Sequence, residues 1–282
     1  MKYLTPILIA LFTPLALAQQ TPPLAGIAHA AIRVADLKAS RDFYARLGFE
    51  EAFSVEKDGL ATQSFIKIND RQFIELYPRL HPADPIGFMH VCFESDDIAA
   101  LNTFYRDRGL APNPVRKAGA GNLLFTMQGP ENQNIEYTQY MPGSRHSNDI
   151  GLHLGPTRIS TALTGTAFFM QDPAAAQSFY IDKLSFIPSI PLKPNSKTNS
   201  SSNPALWLGL PGISAQSITF IPPGLGSAFR MFFAVDNLAQ TATRLETLAI
   251  PLSKTNTNVS IHDPDGNILV FVASARLPLP RP

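Results

Sequence analysis

His29-Ala30-Ala31-Ile32-Arg33-Val34-Ala35-Asp36 is an apolar run closed by an acid, followed by Leu37, Phe43, Tyr44 and Leu47 at helical spacing and then by Gly48. The run reads as a buried strand, the acid as a helix N-cap whose carboxylate accepts from first-turn N–H groups, and the glycine as a helix stop. The same order recurs three times. His90-Val91-Cys92-Phe93-Glu94-Ser95-Asp96 leads into Ile98, Leu101, Phe104 and Tyr105 and stops at Gly109. Ala167-Phe168-Phe169-Met170-Gln171-Asp172 leads through Pro173, a good first helical residue, into Phe179, Tyr180 and Leu184. Met231-Phe232-Phe233-Ala234-Val235-Asp236 leads into Leu238, Leu245 and Leu248.

The four acids stand at 36, 96, 172 and 236, so neighbouring copies are 60, 76 and 64 residues apart and alternate copies 136 and 140. That arithmetic makes two pairs. After each helix come short apolar runs such as Ser64–Ile68 and Gln72–Tyr77, divided by Asn69-Asp70, a good hairpin turn. Each copy is therefore strand, helix and about three strands, and the predicted class is α+β: four βαβββ modules in two pairs. The expected division is residues 25–141 for the first pair, 142–164 for a connection and 165–274 for the second pair. The polar tract from Lys193 to Pro204 buries nothing and is expected to be a surface insertion, with a lid as the other reading.

Composition narrows the partners. Lys+Arg total 23 against 22 for Asp+Glu, a formal charge of +1, which disfavours nucleic acid. Charged residues are only 16% and prolines number 25, which excludes coiled coils and helical solenoids. Lys2, the apolar stretch Leu4–Leu17 and Ala16-Leu17-Ala18 form a predicted signal peptide, residues 1–18, cleaved after Ala18. The stretch is short for a membrane span and is interrupted by Pro6 and Pro14, so a periplasmic or secreted protein without a stable membrane anchor is expected. Cys92 is the only cysteine, so no intramolecular disulfide can form.

Chemistry concentrates in the first pair. His29 opens the first copy and Glu75 closes it; His90 opens the second and Glu136 closes it, with spacings of 46, 15 and 46 residues. Glu75 sits between Ile74 and Leu76 in a run as apolar as Phe73–Tyr77, where an unpaired carboxylate would cost several kcal/mol. No Lys or Arg repeats with it. Two imidazoles and two carboxylates suit a divalent first-row metal, leave the site neutral, and in octahedral coordination leave two positions for a substrate with adjacent oxygens.

With those residues in view, the chain resembles the vicinal oxygen chelate superfamily, which includes glyoxalase I, type I extradiol dioxygenases, methylmalonyl-CoA epimerase and fosfomycin-resistance proteins. The stretches His29–Leu37, Asp42-Phe43-Tyr44-Ala45-Arg46-Leu47-Gly48-Phe49 and Gly87-Phe88-Met89-His90-Val91 are similar to the glyoxalase I signatures. The resemblance implies that each module pair closes into a cup-shaped, partly closed barrel-like sheet. It implies His29, Glu75, His90 and Glu136 as metal ligands, and Arg33 as a substrate-binding residue at a position that holds a glutathione carboxylate. The metal would be zinc, nickel, cobalt, iron or manganese.

The second pair departs from the pattern: aligned by the acids, Gly165, Thr219, Arg230 and Val270 stand where His29, Glu75, His90 and Glu136 do. Those residues cannot hold a metal, and that pair is expected to be structural or to bind by shape. The chemistry implied is that of an isomerase or lyase acting on an α-hydroxy carbonyl or its thiol adduct through a metal-bound enediolate, with Glu136 the first choice of base and Glu75 the second. One alternative is ring-cleaving dioxygenation of a catechol, which needs a two-His, one-carboxylate face and three open positions; a fourth ligand would block one of them. Two-domain dioxygenases of the superfamily also usually keep their metal in the C-terminal half. Another is a resistance-type protein that binds a small molecule without turnover. Export argues against glutathione as the thiol. A monomer or homodimer with a small-molecule substrate is expected.

Overall fold

The computed structural model describes residues 21–188, 205–222, 224, 226 and 228–274. The expected signal peptide and the polar tract 193–204 lie outside the described residues.

The first pair consists of β1 (Leu24–Val34), α1 (Leu37–Arg46), β2 (Glu50–Lys57), β3 (Leu60–Asn69) and β4 (Gln72–Pro78), then β5 (Gly87–Ser95), α2 (Ile98–Asp107), β6 (Arg116–Lys117), β7 (Leu123–Gln128) and β8 (Asn134–Gln139). A connection carrying the short helix α3 (Arg145–Asn148) leads to the second pair. That pair begins with β9 (Ala162–Phe169), α4 (Pro173–Gln177, running on as a π-helical turn over Ser178–Lys183), β10 (Ile187–Pro188), β11 (Leu206–Leu210) and β12 (Ile213–Ile221). It ends with β13 (Arg230–Val235), α5 (Leu238–Thr247), β14 (Leu252–Lys254), β15 (Asn258–His262) and β16 (Ile268–Ala273). Each pair makes one eight-stranded sheet, in the orders β2-β3-β4-β1-β5-β8-β7-β6 and β10-β11-β12-β9-β13-β16-β15-β14. The two orders are the same pattern, so the α+β architecture of paired βαβββ modules is observed in both halves. In each module the first strand runs parallel to the last, and the two first strands meet antiparallel at the sheet centre.

Local chemistry explains the elements and corrects two details. Asp36 and Asp172 cap their helices as the sequence predicts, accepting from Ala39 N and from Ala174 N and Ala175 N. In the other two modules the cap lies one residue beyond the predicted acid: Asp97 accepts from Ala100 N, and Asn237 from Ala239 N and Gln240 N. Asp96 is occupied elsewhere, its carboxylate facing Arg71 at 3.3 Å and its carbonyl accepting from Gln139. The β3–β4 turn is likewise Asp70-Arg71 rather than Asn69-Asp70, because Asn69 pairs with Gln72 and its side chain accepts from Arg71 N. The β2–β3 turn is Asp58-Gly59, with φ of 53° and 75°, the left-handed pair that a two-residue hairpin requires.

Both sheets bury their helix-facing sides in one continuous hydrophobic cluster that includes Ile32, Phe93 and Tyr137 of the first pair and Phe168, Phe220 and Phe271 of the second. Phe88 stacks on Phe168 and Phe229 with centroids at 4.9 and 4.6 Å, and Tyr44 donates its hydroxyl to Asp263. The pairs share a core instead of meeting as finished bodies.

Candidate metal centre

Alternation along four central strands decides which side chains meet. On β1, His29, Ala31 and Arg33 share a face; on β4, Glu75 and Tyr77; on β5, His90 and Cys92; on β8, Glu136. Ala31 is in register with Glu75 across β4 and with His90 across β5, while Cys92 is in register with Glu136 across β8. The sheet thus brings together four side chains that the sequence spreads over 108 positions.

His29 Nε2 lies 2.8 Å from Glu75 Oε2, 3.1 Å from His90 Nε2 and 3.5 Å from Glu136 Oε1, and His90 Nε2 lies 3.7 Å from Glu75 Oε2. Donors held about 2.1 Å from one cation at right angles stand about 3 Å apart, so His29, Glu75 and His90 fit a single divalent ion, and Glu136 meets that set through His29. Its chemistry fits as well, since two carboxylates and two neutral imidazoles balance a double charge. His29, Glu75 and His90 are buried, and Nδ1 of His29 is buried with no hydrogen-bond partner. Burial alone would lower the His29 pKa, but the adjacent Glu75 carboxylate, with Glu136 behind it, raises it. Burial works against the charge on Glu75, and the His29 and His90 imidazoles outweigh it, holding that carboxyl well below the usual range. The two carboxylates are unequal. Glu75 touches both imidazoles, whereas Glu136 approaches only one of the two, His29, and has the more exposed side chain, 14% against 4%.

Arg33 stands apart from this cluster, at the strand end in register with Tyr77, where its Nη1 donates to the Pro85 carbonyl. Sequence reading missed several neighbours. Cys92 and Tyr77 each lie two residues from a donor, and the strand period alone puts them on the same face. Tyr77 accepts from Gln63 Nε2 at 2.8 Å, and burial, then Glu75 and Glu136, push its phenol well above its ordinary pKa. Lys67, fully buried on β3 in register with Phe73, ties down the connection by donating to the Asp149 carboxylate and the Leu152 carbonyl, and also pairs with Asp70 of the β3–β4 turn. His146, also from the connection, packs against Phe53, Phe65, Phe73 and Tyr140 with centroids 4.8–5.1 Å away and meets Asn122 through Nδ1. No strand periodicity announces a histidine delivered by a connection.

The second pair reproduces the register without the donors. Thr219 is in register with Ala167 as Glu75 is with Ala31, and Arg230 with Ala167 as His90 is with Ala31. Gly165 and Val270 fall at the places of His29 and Glu136. A Cβ on Gly165 would lie 2.6 Å from the Ser217 carbonyl oxygen, so no side chain fits there.

Residues 26–137 match the family model described as Glyoxalase/Bleomycin resistance protein/Dioxygenase superfamily. No curated protein sequence matches the chain. Among solved structures it is similar to the 2,3-dioxygenase LapB from Pseudomonas sp. KL28, with TM-score 0.66 and 15% identity over 93% of this chain and 96% of that one. It is similar to the Mn(II)-bound glyoxalase from Novosphingobium aromaticivorans, with TM-score 0.65 and 16% identity over 89% and 82% of the two chains. Homoprotocatechuate 2,3-dioxygenase from Arthrobacter globiformis gives TM-score 0.64 and 17% identity over 90% and 80%. At these identities the likeness is one of fold. The sequence match and the paired βαβββ sheets together place a glyoxalase/bleomycin resistance protein/dioxygenase superfamily domain over residues 26–137.

Proposed function

We propose that the first pair binds a divalent metal through His29, Glu75, His90 and Glu136 and catalyses proton transfer on an α-hydroxy carbonyl or its thiol adduct, as an isomerase or lyase. The inequality of the two carboxylates carries this reading. A divalent cation at the site would act as a Lewis acid on two adjacent substrate oxygens. Glu75, buried and fixed by two imidazoles, holds position. Glu136, reached by one imidazole instead of two and partly exposed, is free to take a proton from carbon and return it to the neighbouring carbon. Arg33, at the end of the same face, offers a guanidinium to an anionic part of the substrate. Deuterium exchange at the substrate carbon, measured with α-hydroxy ketones and thiol hemiacetals in D2O without oxygen consumption, tests it. Glu136→Gln should lower that exchange about a hundredfold or more; unchanged exchange sinks the assignment.

A second reading has its own observation. The ligand atoms of His29, Glu75 and His90 form a buried group within 4.8 Å, a two-His, one-carboxylate set without Glu136. Such a face with Fe(II) is the arrangement used for oxygen chemistry, and oxygen uptake with catechols would establish it. We further propose export, supported by Lys2, Leu4–Leu17 and the Ala16-Leu17-Ala18 cleavage pattern; a mature N-terminus at Gln19 in the extracytoplasmic fraction is the expected finding.

A further inference from the structure

One flank of the metal centre is walled by rings, and one of those rings comes from the connection. Phe65 is in register with Glu75 and Phe73 with His29, all on the concave face, so both phenyl groups stand next to donors. His146 closes over them. Its ring lies 5.1 Å from Phe65, 4.8 Å from Phe73, 4.9 Å from Phe53 and 4.8 Å from Tyr140, and the residue is 4% exposed. Asn122 fixes it from behind, donating to Nδ1 while its own Oδ1 accepts from Met141 N. A cavity of about 400 Å³ is lined by Arg71, Glu94, Tyr140, His146 and Ser147, and by none of the four donors. His146 therefore has that cavity on one side and the rings beside the donors on the other. At the opposite end of the same face Gln63, Tyr77 and Arg33 are half-buried, so solvent reaches the face there.

Resting on the proton-transfer reading above, we propose that His146 is a specificity-determining residue, a plug that makes the cup one-ended. It limits the substrate to α-hydroxy carbonyls that carry no more than hydrogen or a methyl group on one of the two oxygen-bearing carbons. A molecule held through two adjacent oxygens has a substituent at each end. The end turned to the walled flank meets Phe65, Phe73 and His146, which are buried and leave no space for a ring or a chain. Forcing a larger group into such packing costs about 1–3 kcal/mol. The other end runs toward Tyr77 and Arg33, where a chain with an anionic terminus is accommodated. A bulky thiol adduct enters only with its thiol part at that end. The plug belongs to the connection and not to the donor strands, so the choice of substrate is separable from the hold on the metal.

The test uses hydroxamates, which present two adjacent oxygens and carry one substituent on carbon and one on nitrogen. Their binding to the full-length protein loaded with Mn(II) is followed by water-proton relaxation, so no turnover is needed. Benzohydroxamate, substituted at one end, should bind. N-phenylbenzohydroxamate, substituted at both, should bind the wild type about tenfold more weakly or worse. His146→Ala and Tyr140→Ala, which open the wall into the cavity, should bind the two alike, and His146→Phe should keep the discrimination. Three results overturn the proposal and leave the proton-transfer reading standing: equal binding of both ligands by the wild type, loss of discrimination in His146→Phe, or undiminished discrimination in whichever alanine variant holds about one equivalent of Mn(II). A wild type that takes up less than about half an equivalent of Mn(II), or binds neither hydroxamate, overturns the metal centre and this proposal with it.

Discussion

Glu131 and Asp265 do the same work in opposite directions. Glu131, on the loop before β8, accepts from Gln171 N and Asp172 N at the start of α4, and Asp265, on the loop before β16, accepts from Ala35 N at the start of α1. Each pair thereby supplies a carboxylate to the positive end of the other pair's first helix.

Removing either carboxylate leaves backbone donors of the partner pair with water alone. Glu131→Ala and Asp265→Ala should each cost about 1 kcal/mol, and up to about 2. The two share no partner, so the double variant should lose the sum within about 0.5 kcal/mol, read from urea unfolding midpoints. A variant as stable as the wild type would show that its cap carries no weight.

For the metal centre, His29→Ala, Glu75→Gln and His90→Ala should each weaken binding of Mn(II) a hundredfold or more, whereas Glu136→Gln should weaken it about tenfold, as the less engaged carboxylate. Competition with a chromophoric chelator measures both. Equal losses at Glu75 and Glu136 would remove the inequality on which the assignment of the base rests.

The second pair cannot be repaired by restoring donors. Gly165→His, Thr219→Glu, Arg230→His and Val270→Glu together should bind no additional metal, because a Cβ at 165 meets the Ser217 carbonyl oxygen at 2.6 Å. Gly165→Ala alone should destabilise by about 1–3 kcal/mol. A second equivalent of metal in the fourfold variant would contradict this account.

His146 supplies a pH dependence. Burial first, then the charge of His29, pushes its pKa from 6.5 down to about 3. Between those values the unfolded chain binds a proton that the folded chain refuses. Stability is therefore full above about pH 6.5 and falls as pH drops toward 3, by about 1.4 kcal/mol per unit, or about 2 kcal/mol from pH 7 to pH 5. His146→Phe, which fits among the same rings, should lose about that much less over the interval in urea unfolding. An equal loss in both proteins would assign the dependence elsewhere.

What the sequence revealed follows from what repeats. Module order, pairing and the clustering of His29, Glu75, His90 and Glu136 were legible because a buried carboxylate between Ile74 and Leu76 needs a partner and because the pattern recurs at fixed spacing. The empty second pair was legible for the same reason, and the strand registers support that alignment. The N-caps at 97 and 237 were missed by one residue, since Asp96 and Asp97 are adjacent and only backbone geometry chooses between them. Cys92 and Tyr77 follow from the strand period alone, each two residues from a member of the cluster and so on its face. Lys67 and His146 were not legible, because their roles depend on where the connection folds back.

The shared core also sets when the site can form during synthesis. Tyr44 and the N-terminal end of α1 lie beside the donor strands, yet their partners Asp263 and Asp265 are made more than two hundred residues later. At about 5–20 residues per second that delay is on the order of ten seconds or longer. The ribosome must nearly finish the chain before those contacts can form, so a truncated product would leave the helix-facing side of the first pair's sheet uncovered.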